Sequence, residues 1–469
     1  MAEALTPCNV PLANVVITTV KPLQKTNHVE TIDTTFLDLA PLDGLIPLFF
    51  AYRLEDKSDA NYLQLLNRLK ESLQKVLVLF FGFAGRWIAT AKGSRDRQLV
   101  CNDEGVPFIE AFVDKDLDSI VHASAAFQPV SELQGYELLG LDSTQYTQQM
   151  LPEGLPCLFV QVTRFRCGGV VIATTFNHML TDGKGFFHFM TAWSDLSRTD
   201  ETNVKVDHNR ALTEKLSFQE FISKHAVPSL ASTGSRRPQW AMKAVEVSTS
   251  SIKSLKQEAI NNKYGPGFVS TGDCILAHVW KSISRVPSAM LGGKQVVITM
   301  NVEGRRRYYD PPIPDLCGNV MAPMVAPKIP TDEVQHMSVA SIASKIRDKL
   351  HNTRREEWLS LERLEETLEV YSSGRFAPMR TTSWFGFPVY DMDFGFGTPY
   401  FVSGLNYRCS LSALGTMYIG PPIPSSSDSI AVLYICSTPE LLEALQRDLE
   451  FLLLFCCAEG KGNETSVST

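Results

Sequence analysis

No two cysteines stand in a C-x-x-C pair, and the ten in the chain are scattered along its 469 residues. That spacing excludes a zinc ribbon and a small disulfide-stapled scaffold, and predicts reduced thiols of a cytosolic protein. Basic residues are in deficit: 44 Lys and Arg stand against 51 Asp and Glu, a net charge of -7. A broad nucleic-acid surface is therefore not expected, and a polyanionic ligand would need a local basic pocket. Long apolar runs are missing too. "VLVLFFGFAG" (76–85) and "FLLLFCCA" (451–458) are too short to cross a bilayer. "MAEALTPCNVPLANVV" has neither a basic n-region nor a long apolar h-region, so no secretory signal is expected and the acceptor triplet "NET" (463–465) is expected to be idle. A cytoplasmic, monomeric protein is the expectation.

Several chemistries are excluded in the same way. There is no G-x-S-x-G elbow, and Cys157 and Cys167 lie in apolar strand contexts, so a covalent nucleophile is not expected. "DFG" at 393–395 has no H-R-D loop and no V-A-I-K lysine behind it, which removes a protein kinase. "GFG" lacks the third glycine and the strand–helix frame of a dinucleotide fingerprint.

What is present is an ordinary globular composition, 44% hydrophobic and 20% charged, of a length that suits two core-bearing domains. Short apolar strands alternate with amphipathic helices in both halves, which predicts an α/β chain. "NYLQLLNRLKESLQKVL" (61–77) places Leu66, Leu69, Leu73 and Leu77 at helical spacing. Residues 155–178 read as two strands joined at Gly168-Gly169, and 185–198 as a helix. The polar stretch 199–215 reads as a linker between domains 1–198 and 216–469, with part of about 360–400 packing into the first. Further on, 294–302 and 429–436 read as strands, 338–350 as a helix and 421–429 as a loop. Ser437 and Glu440 form a capping-box pattern around Pro439, and the tail after Cys457 is expected to be disordered.

"TTFNHMLTDGKGFF" (174–187) carries the chemistry. A β-rich run ends at His178 and a helix begins near Gly185, so His178 sits at a strand end, where α/β proteins place ligand groups. Three readings are open. The imidazole can take a proton near neutral pH; it can pair with Asp182 on a metal; or it is a hydrogen-bonded strand-end histidine. The metal reading has two ligands where a catalytic zinc wants three, and His188, the nearest addition, falls in an apolar helical segment that predicts core packing. Gly183 and Gly185 permit close approach. "NVEGRRRYYD" (301–310) offers arginines to a buried carboxylate such as Asp182, or to phosphate. Lys253 and Lys256, three apart on one helix face, could hold a phosphorylated ligand. "TTSWFGFPVYDMDFGFGTPYF" (381–401) is too aromatic to lie wholly in solvent, and Asp393 reads as a structural anion.

Together these stretches resemble the BAHD acyltransferases of plants. The two signatures of that family, H-x-x-x-D-G and D-F-G-W-G, stand here as "HMLTDG" (178–183) and "DFGFG" (393–397). "FAGRW" (83–87), "CNDEGVPFIEA" (101–111), "QVTRFRCGG" (161–169), "NVEGR" (301–305) and "PPIPDLCGN" (311–319) follow in family order. The resemblance implies two chloramphenicol-acetyltransferase-like α/β domains with the active site in a channel at their interface. It implies acyl-CoA as a co-substrate, no resident cofactor or metal, and a small-molecule alcohol or amine as acceptor. His178 would deprotonate the acceptor, which attacks the thioester directly. Asp182 would be structural with Arg305 its partner, and Asp393, Gly395 and Gly397 would maintain the domain arrangement. Trp384 would donate to the developing oxyanion, and Thr382 would contact the acceptor.

This chain departs from the family pattern at three places. Phe396 replaces a tryptophan, and Glu303 stands where an arginine is common, leaving Arg305 to pair alone. Ile46, Leu48 and Phe50 replace the Thr, Ser and Tyr of hydroxycinnamoyl-shikimate enzymes, which implies a rather apolar acceptor and an aromatic or aliphatic acyl donor, of specialised or cuticle-type metabolism. Arg375 is the nearest counterpart in sequence of the arginine that holds the shikimate carboxylate. A catalytically silent acyl-CoA-binding protein and a thioester hydrolase are the alternative functions on the same fold.

Overall fold

The computed structural model describes residues 13–26, 31–39, 44–89, 97–119, 154–213, 241–261, 268–358, 360–404 and 413–455. Two six-stranded sheets dominate it. The first runs β1 (Ala13–Val20), β6 (Val106–Val113), β7 (Leu158–Phe165), β8 (Val170–Asn177), β3 (Leu45–Tyr52) and β13 (Phe401–Gly404). The second runs β11 (Met321–Val325), β10 (Gln295–Glu303), β12 (Phe376–Ser383), β14 (Thr416–Gly420), β15 (Ser429–Ser437) and β9 (Ala241–Ser248). A small sheet of β2 (Thr31–Asp33), β5 (Arg97–Val100) and β4 (Arg86–Ala89) sits beside the first. The alternating pattern of short strands and helices thus gives the expected mixed α/β fold with two sheet-bearing halves.

Three early helices matter for the site: α1 (Phe36–Leu39), α2 (Asp59–Leu79) and α3 (Gly183–Thr199). The leucines read at helical spacing are the buried stripe of α2, with Leu69, Leu73 and Leu77 fully enclosed. That stripe and the phenylalanines of α3 cover one face of the first sheet. Phe186 stacks on Phe176 of β8 at 4.1 Å, and Phe189 on Phe83 at 4.3 Å. Such apolar burial is the main source of stability for a domain of this kind.

Three expectations need correction. Of the stretch read as a linker, the described residues 199–213 are pinned: Asp207 bridges Leu316, and Arg210 is 6% exposed in an ion pair with Asp38. Its polar composition reflects buried pairing as much as solvent. The last long helix, Pro439–Arg447, is capped by the Thr438 side chain, while the Ser437 hydroxyl donates to the Leu414 carbonyl. Ser437 is still held in the β15 ladder, so the cap falls one residue later. Finally, Cys436 is disulfide-bonded, against the expectation of reduced thiols throughout; Cys101, Cys157, Cys167, Cys274 and Cys317 are free. The segment after Cys457 lies outside the described residues.

The chain also crosses between halves. Beyond the predicted 360–400 stretch, β13 joins the first sheet by pairing antiparallel with β3, Ser403 opposite Phe49.

Candidate active site

β8 ends at Asn177, and the turn that follows carries His178 to a nearly enclosed position, 8% exposed. The His178 N–H donates to the Gly44 carbonyl at 3.0 Å, which fixes the strand end. Its Nδ1 lies 3.1 Å from Oδ1 of Asn319, a residue 141 positions away. Asn319 is 2% exposed, and its Nδ2 donates to the His178 carbonyl at 2.8 Å and to Asp38 Oδ1 at 3.0 Å.

Asp182 begins α3. Its side chain caps the helix by accepting from the Gly185 N–H at 3.0 Å, and a carboxylate is favoured at a helix N-terminus. The same carboxylate takes two parallel hydrogen bonds from Arg305, at 2.9 and 3.0 Å, and a third from the Val320 N–H at 2.9 Å. Burial opposes its ionisation, but the Arg305 charge and these donors outweigh burial and hold the carboxyl below its ordinary range. All of its capacity is spent within the protein, so Asp182 cannot also orient the imidazole or bind a metal. Arg305 donates further to the Leu316 and Gly318 carbonyls and to Glu303. Glu303 is thus a second carboxylate on Arg305 where an arginine was the family expectation.

Gly183 is required by a close approach. A Cβ there would lie 2.8 Å from the ring of Phe387, which also packs on Phe187 at 5.0 Å. The Phe387 N–H donates to the carbonyl of Trp384, so the turn after β12 holds both aromatics. Trp384 is 7% exposed and rests on Tyr418 at 4.8 Å. The "HMLTDG" loop and the "TTSW" turn therefore meet at the start of α3. Thr382 is half-buried opposite Tyr418 in the β12–β14 ladder.

The "DFGFG" loop lies on the other side of α3. Asp393 Oδ1 accepts from the Gly395 and Gly397 N–H groups at 2.8 and 3.1 Å, and both glycines have φ near +95° (94° and 98°), a region side chains avoid. Phe394 packs on Trp193 at 4.9 Å, Phe396 packs on Tyr52 at 5.1 Å, and Arg68 of α2 donates to the Gly395 carbonyl. This loop clamps β3, α2 and α3 together.

Other expected site residues fall elsewhere. Ile46 is directly opposite Phe176 in the β3–β8 ladder, and Leu48 opposite Thr174. Residues so paired share a face, and Phe176 stacks on α3, so Ile46, Leu48 and Phe50 are buried on the face that the helices cover. The face turned to the second sheet carries Phe49, whose ladder partner Ser403 meets the Tyr418 hydroxyl at 3.2 Å. Pro47, Thr175, Phe159 and Gln161 lie on that face by the same registers. Arg375 stands just before β12, at the end remote from Trp384, and pairs with Glu369. Lys253 is exposed on the helix Thr249–Asn261, and Lys256 donates to the Thr271 hydroxyl at 3.0 Å.

Burial, together with Lys184 and Arg305, pushes His188 down to about 4, which leaves it neutral and unsuited to a proton shuttle. Burial raises the thiols of Cys157 and Cys317 to about 12 and about 11, so neither is a thiolate nucleophile. Among the described residues no three His, Cys, Asp or Glu side chains gather as a metal site, and no helix is long and apolar enough to cross a membrane.

A strand-end histidine, a helix-capping aspartate committed to a distant arginine, and an aromatic turn packed on Gly183 meet at the start of α3. The chain belongs to the Transferase family, whose model matches residues 14–452; these are the BAHD acyltransferases. It is an enzyme of that class, moving an acyl group from a coenzyme A thioester to a hydroxyl or amine. The shikimate O-hydroxycinnamoyltransferase of Nicotiana tabacum is 24% identical over 400 residues, covering 81% of this chain and 87% of that protein. The hydroxycinnamoyl-CoA:5-hydroxyanthranilate N-hydroxycinnamoyltransferase of Avena sativa is 29% identical over 386 residues, covering 77% and 84%. The crystal structure of vinorine synthase superposes with a TM-score of 0.71 at 21% identity, over 95% of this chain and 99% of that one, which shows the shared fold.

Proposed function

We propose that His178 is the general base of a direct, ternary-complex acyl transfer. The imidazole takes the proton of the acceptor O–H or N–H as the heteroatom forms its bond to the thioester carbonyl carbon. The resulting oxyanion is met by the indole N–H of Trp384. When the C–S bond breaks, the imidazolium returns the proton to the departing thiolate, releasing the ester or amide and free coenzyme A thiol. Asp182 stays ionised against Arg305 and sets the loop that carries His178. The observation that carries this reading is the placement of His178 at the end of β8, its Nδ1 against Asn319, beside an aspartate with no capacity to spare. Thr382 contacts the acceptor, and Lys253 and Lys256 are the cations offered to the coenzyme A phosphates.

Ile46, Leu48 and Phe50, the residues behind the expectation of a rather apolar acceptor, are buried on the helix-covered face. The wall facing the second sheet mixes Phe49, Pro47 and Phe159 with Thr175 and Gln161. It suits an acceptor with an apolar body and hydrogen-bonding groups, and an aromatic hydroxycinnamoyl-type or aliphatic acyl donor. The similarity to hydroxycinnamoyltransferases supports the aromatic donor. We also place the enzyme in the cytoplasm as a monomer, with its channel between halves 1–198 and 216–469.

The test supplies purified protein with p-coumaroyl-CoA and, in turn, shikimate, long-chain alcohols and aromatic amines, and follows the thiol released. Release that depends on an acceptor, and falls about 10²–10⁴-fold in a folded His178→Ala variant, is the expected result. Undiminished turnover in that variant would refute the base assignment, and equal release without any acceptor would identify a hydrolase.

A further inference from the structure

At the far end of α3 from Asp182, roughly 20 Å along the helix, a cleft of about 630 Å³ opens between α2 and the last turn of α3. Its volume lies in the range of small-molecule sites, and the acyl transfer makes no use of it. One wall is a stripe of α2 at helical spacing, Gln64, Arg68, Glu71 and Lys75, with Asn67 beside it. The floor is formed by two buried serines whose hydroxyls are already engaged. Ser72 accepts from Trp193 Nε1 at 3.1 Å, and Ser197 donates to the Phe394 carbonyl at 2.8 Å.

The charges of the cleft divide into engaged and open. Lys75 pairs with Asp200, and Arg198 with Asp195. Arg68 and Glu71 stand three apart on one face of α2, a spacing at which opposite charges ordinarily pair. They do not pair with each other, and among the described residues neither has another ion-pair partner. Arg68 gives one N–H to the Gly395 carbonyl at 3.1 Å, and a Cβ on Gly395 would lie 2.1 Å from that nitrogen. The glycine thus seats the guanidinium and leaves the rest of its donor fork open. The side-chain amides of Gln64 and Asn67 are exposed and have no partner among the described residues.

These open groups specify a ligand. A phosphate or dicarboxylate suits Arg68 but meets Glu71, and a simple amine suits Glu71 but meets Arg68. A molecule with a carboxylate and an ammonium on one carbon satisfies both through charge-assisted hydrogen bonds. The Lys75–Asp200 pair closes one end of the stripe, so the remainder of the ligand runs toward the amides of Gln64 and Asn67. We propose that this cleft binds a free α-amino acid with a polar side chain, its carboxylate on Arg68 and its ammonium on Glu71. Arg68 and Ser197 also hold the "DFGFG" loop, so the site lies against the clamp of β3, α2 and α3 and away from the reacting groups.

The experiment is calorimetric titration of the full chain with L-glutamine, L-arginine and L-serine, beside propionate and ethylamine as the carboxylate and the amine alone. At least one amino acid is expected to bind, with propionate and ethylamine weaker by roughly 10-fold or more. Glu71→Gln breaks no bond seen in the native protein, and it should raise the Kd on the order of 10–100-fold. Arg68→Gln should do the same, while saturating coenzyme A leaves the Kd unchanged. Absence of binding at millimolar amino acid would overturn the proposal, and so would an affinity that Glu71→Gln leaves unaltered. The titration involves no turnover and is expected to give the same Kd in His178→Ala, so its outcome is separate from that of the base assignment.

Discussion

Arg305 grips Asp182 through two parallel hydrogen bonds of 2.9 and 3.0 Å across a separation of 123 residues, with side chains 2% and 1% exposed. The pair ties the loop that carries the histidine to the end of β10 in the second sheet. Breaking one side leaves a buried charge without its partner, which costs more than the intact pair contributes. Asp182→Ala should therefore lose about 3–5 kcal/mol, read as a lower urea midpoint, and removing both charges together should cost less than the sum of the single changes. The pH dependence has a definite sign. Because the folded carboxyl titrates below its ordinary value, its stabilisation is complete above roughly pH 4 and is lost as pH falls through the depressed folded value. Acid unfolding below about pH 4 should be blunted in Asp182→Asn.

Gly183 and Phe387 form a second contact between the halves. Gly183→Ala would drive a methyl into the phenyl ring, an overpacking cost of roughly 1–3 kcal/mol. Because Phe387 shares its turn with Trp384, kcat should fall as well. Phe387→Leu in the Gly183→Ala background should restore part of both. A double variant no better than the single would show that the ring is not the obstacle.

Neighbouring residues of β3 should behave oppositely. Leu48→Ala opens a cavity beneath the helices and should cost about 2–5 kcal/mol without altering the order of acceptor preference. Phe49→Ala should change acceptor KM values more than it changes the melting temperature. Comparing thermal unfolding with an acceptor panel for the two variants decides it.

How much of this was legible in the sequence depends on the spacing of the signals. The α/β period and the α2 stripe are local patterns and were readable, whereas the choice of Arg305 as the partner of Asp182 came from the family resemblance. The face of β3 was not: Leu45–Tyr52 is buried at every position, so it shows no alternation from which to choose a side. Asn319 gives no signal of its own, being a single amide 141 residues from its histidine. The four residues of β13 are too few to carry a period, and the tie between Ser437 and Thr438 as cap is broken only by how far the β15 ladder runs.

The "DFGFG" loop should matter for stability and not for the chemical step. Asp393→Ala removes the acceptor of two backbone N–H groups, at a cost of about 1–3 kcal/mol. The rate per folded molecule should stay within about two-fold. A large fall in kcat with unchanged unfolding would place the loop in the reaction instead.

His188 sets an acid limit of a different kind. Its folded value of about 4 lies below the ordinary value of about 6.5 for an unfolded chain. The native state therefore binds fewer protons, and the stability this residue supports is present above about pH 6.5 and declines as pH falls toward 4. His188→Gln should flatten stability over that interval while leaving the acid limb of the kcat/KM profile in place. If that limb moves with His188→Gln, the titrating group in catalysis is not His178 alone.

The pairing of β13 with β3 also governs how the chain comes into being. The first sheet receives its last strand from residues made roughly 350 positions after β3. At ~5–20 residues per second this leaves on the order of tens of seconds during synthesis in which β3 has an open edge. The amino-terminal half is therefore not a unit that can be completed on the ribosome and then left alone. Chaperone occupancy during synthesis, and failure of truncated chains that stop before residue 401, are built into the order of the strands.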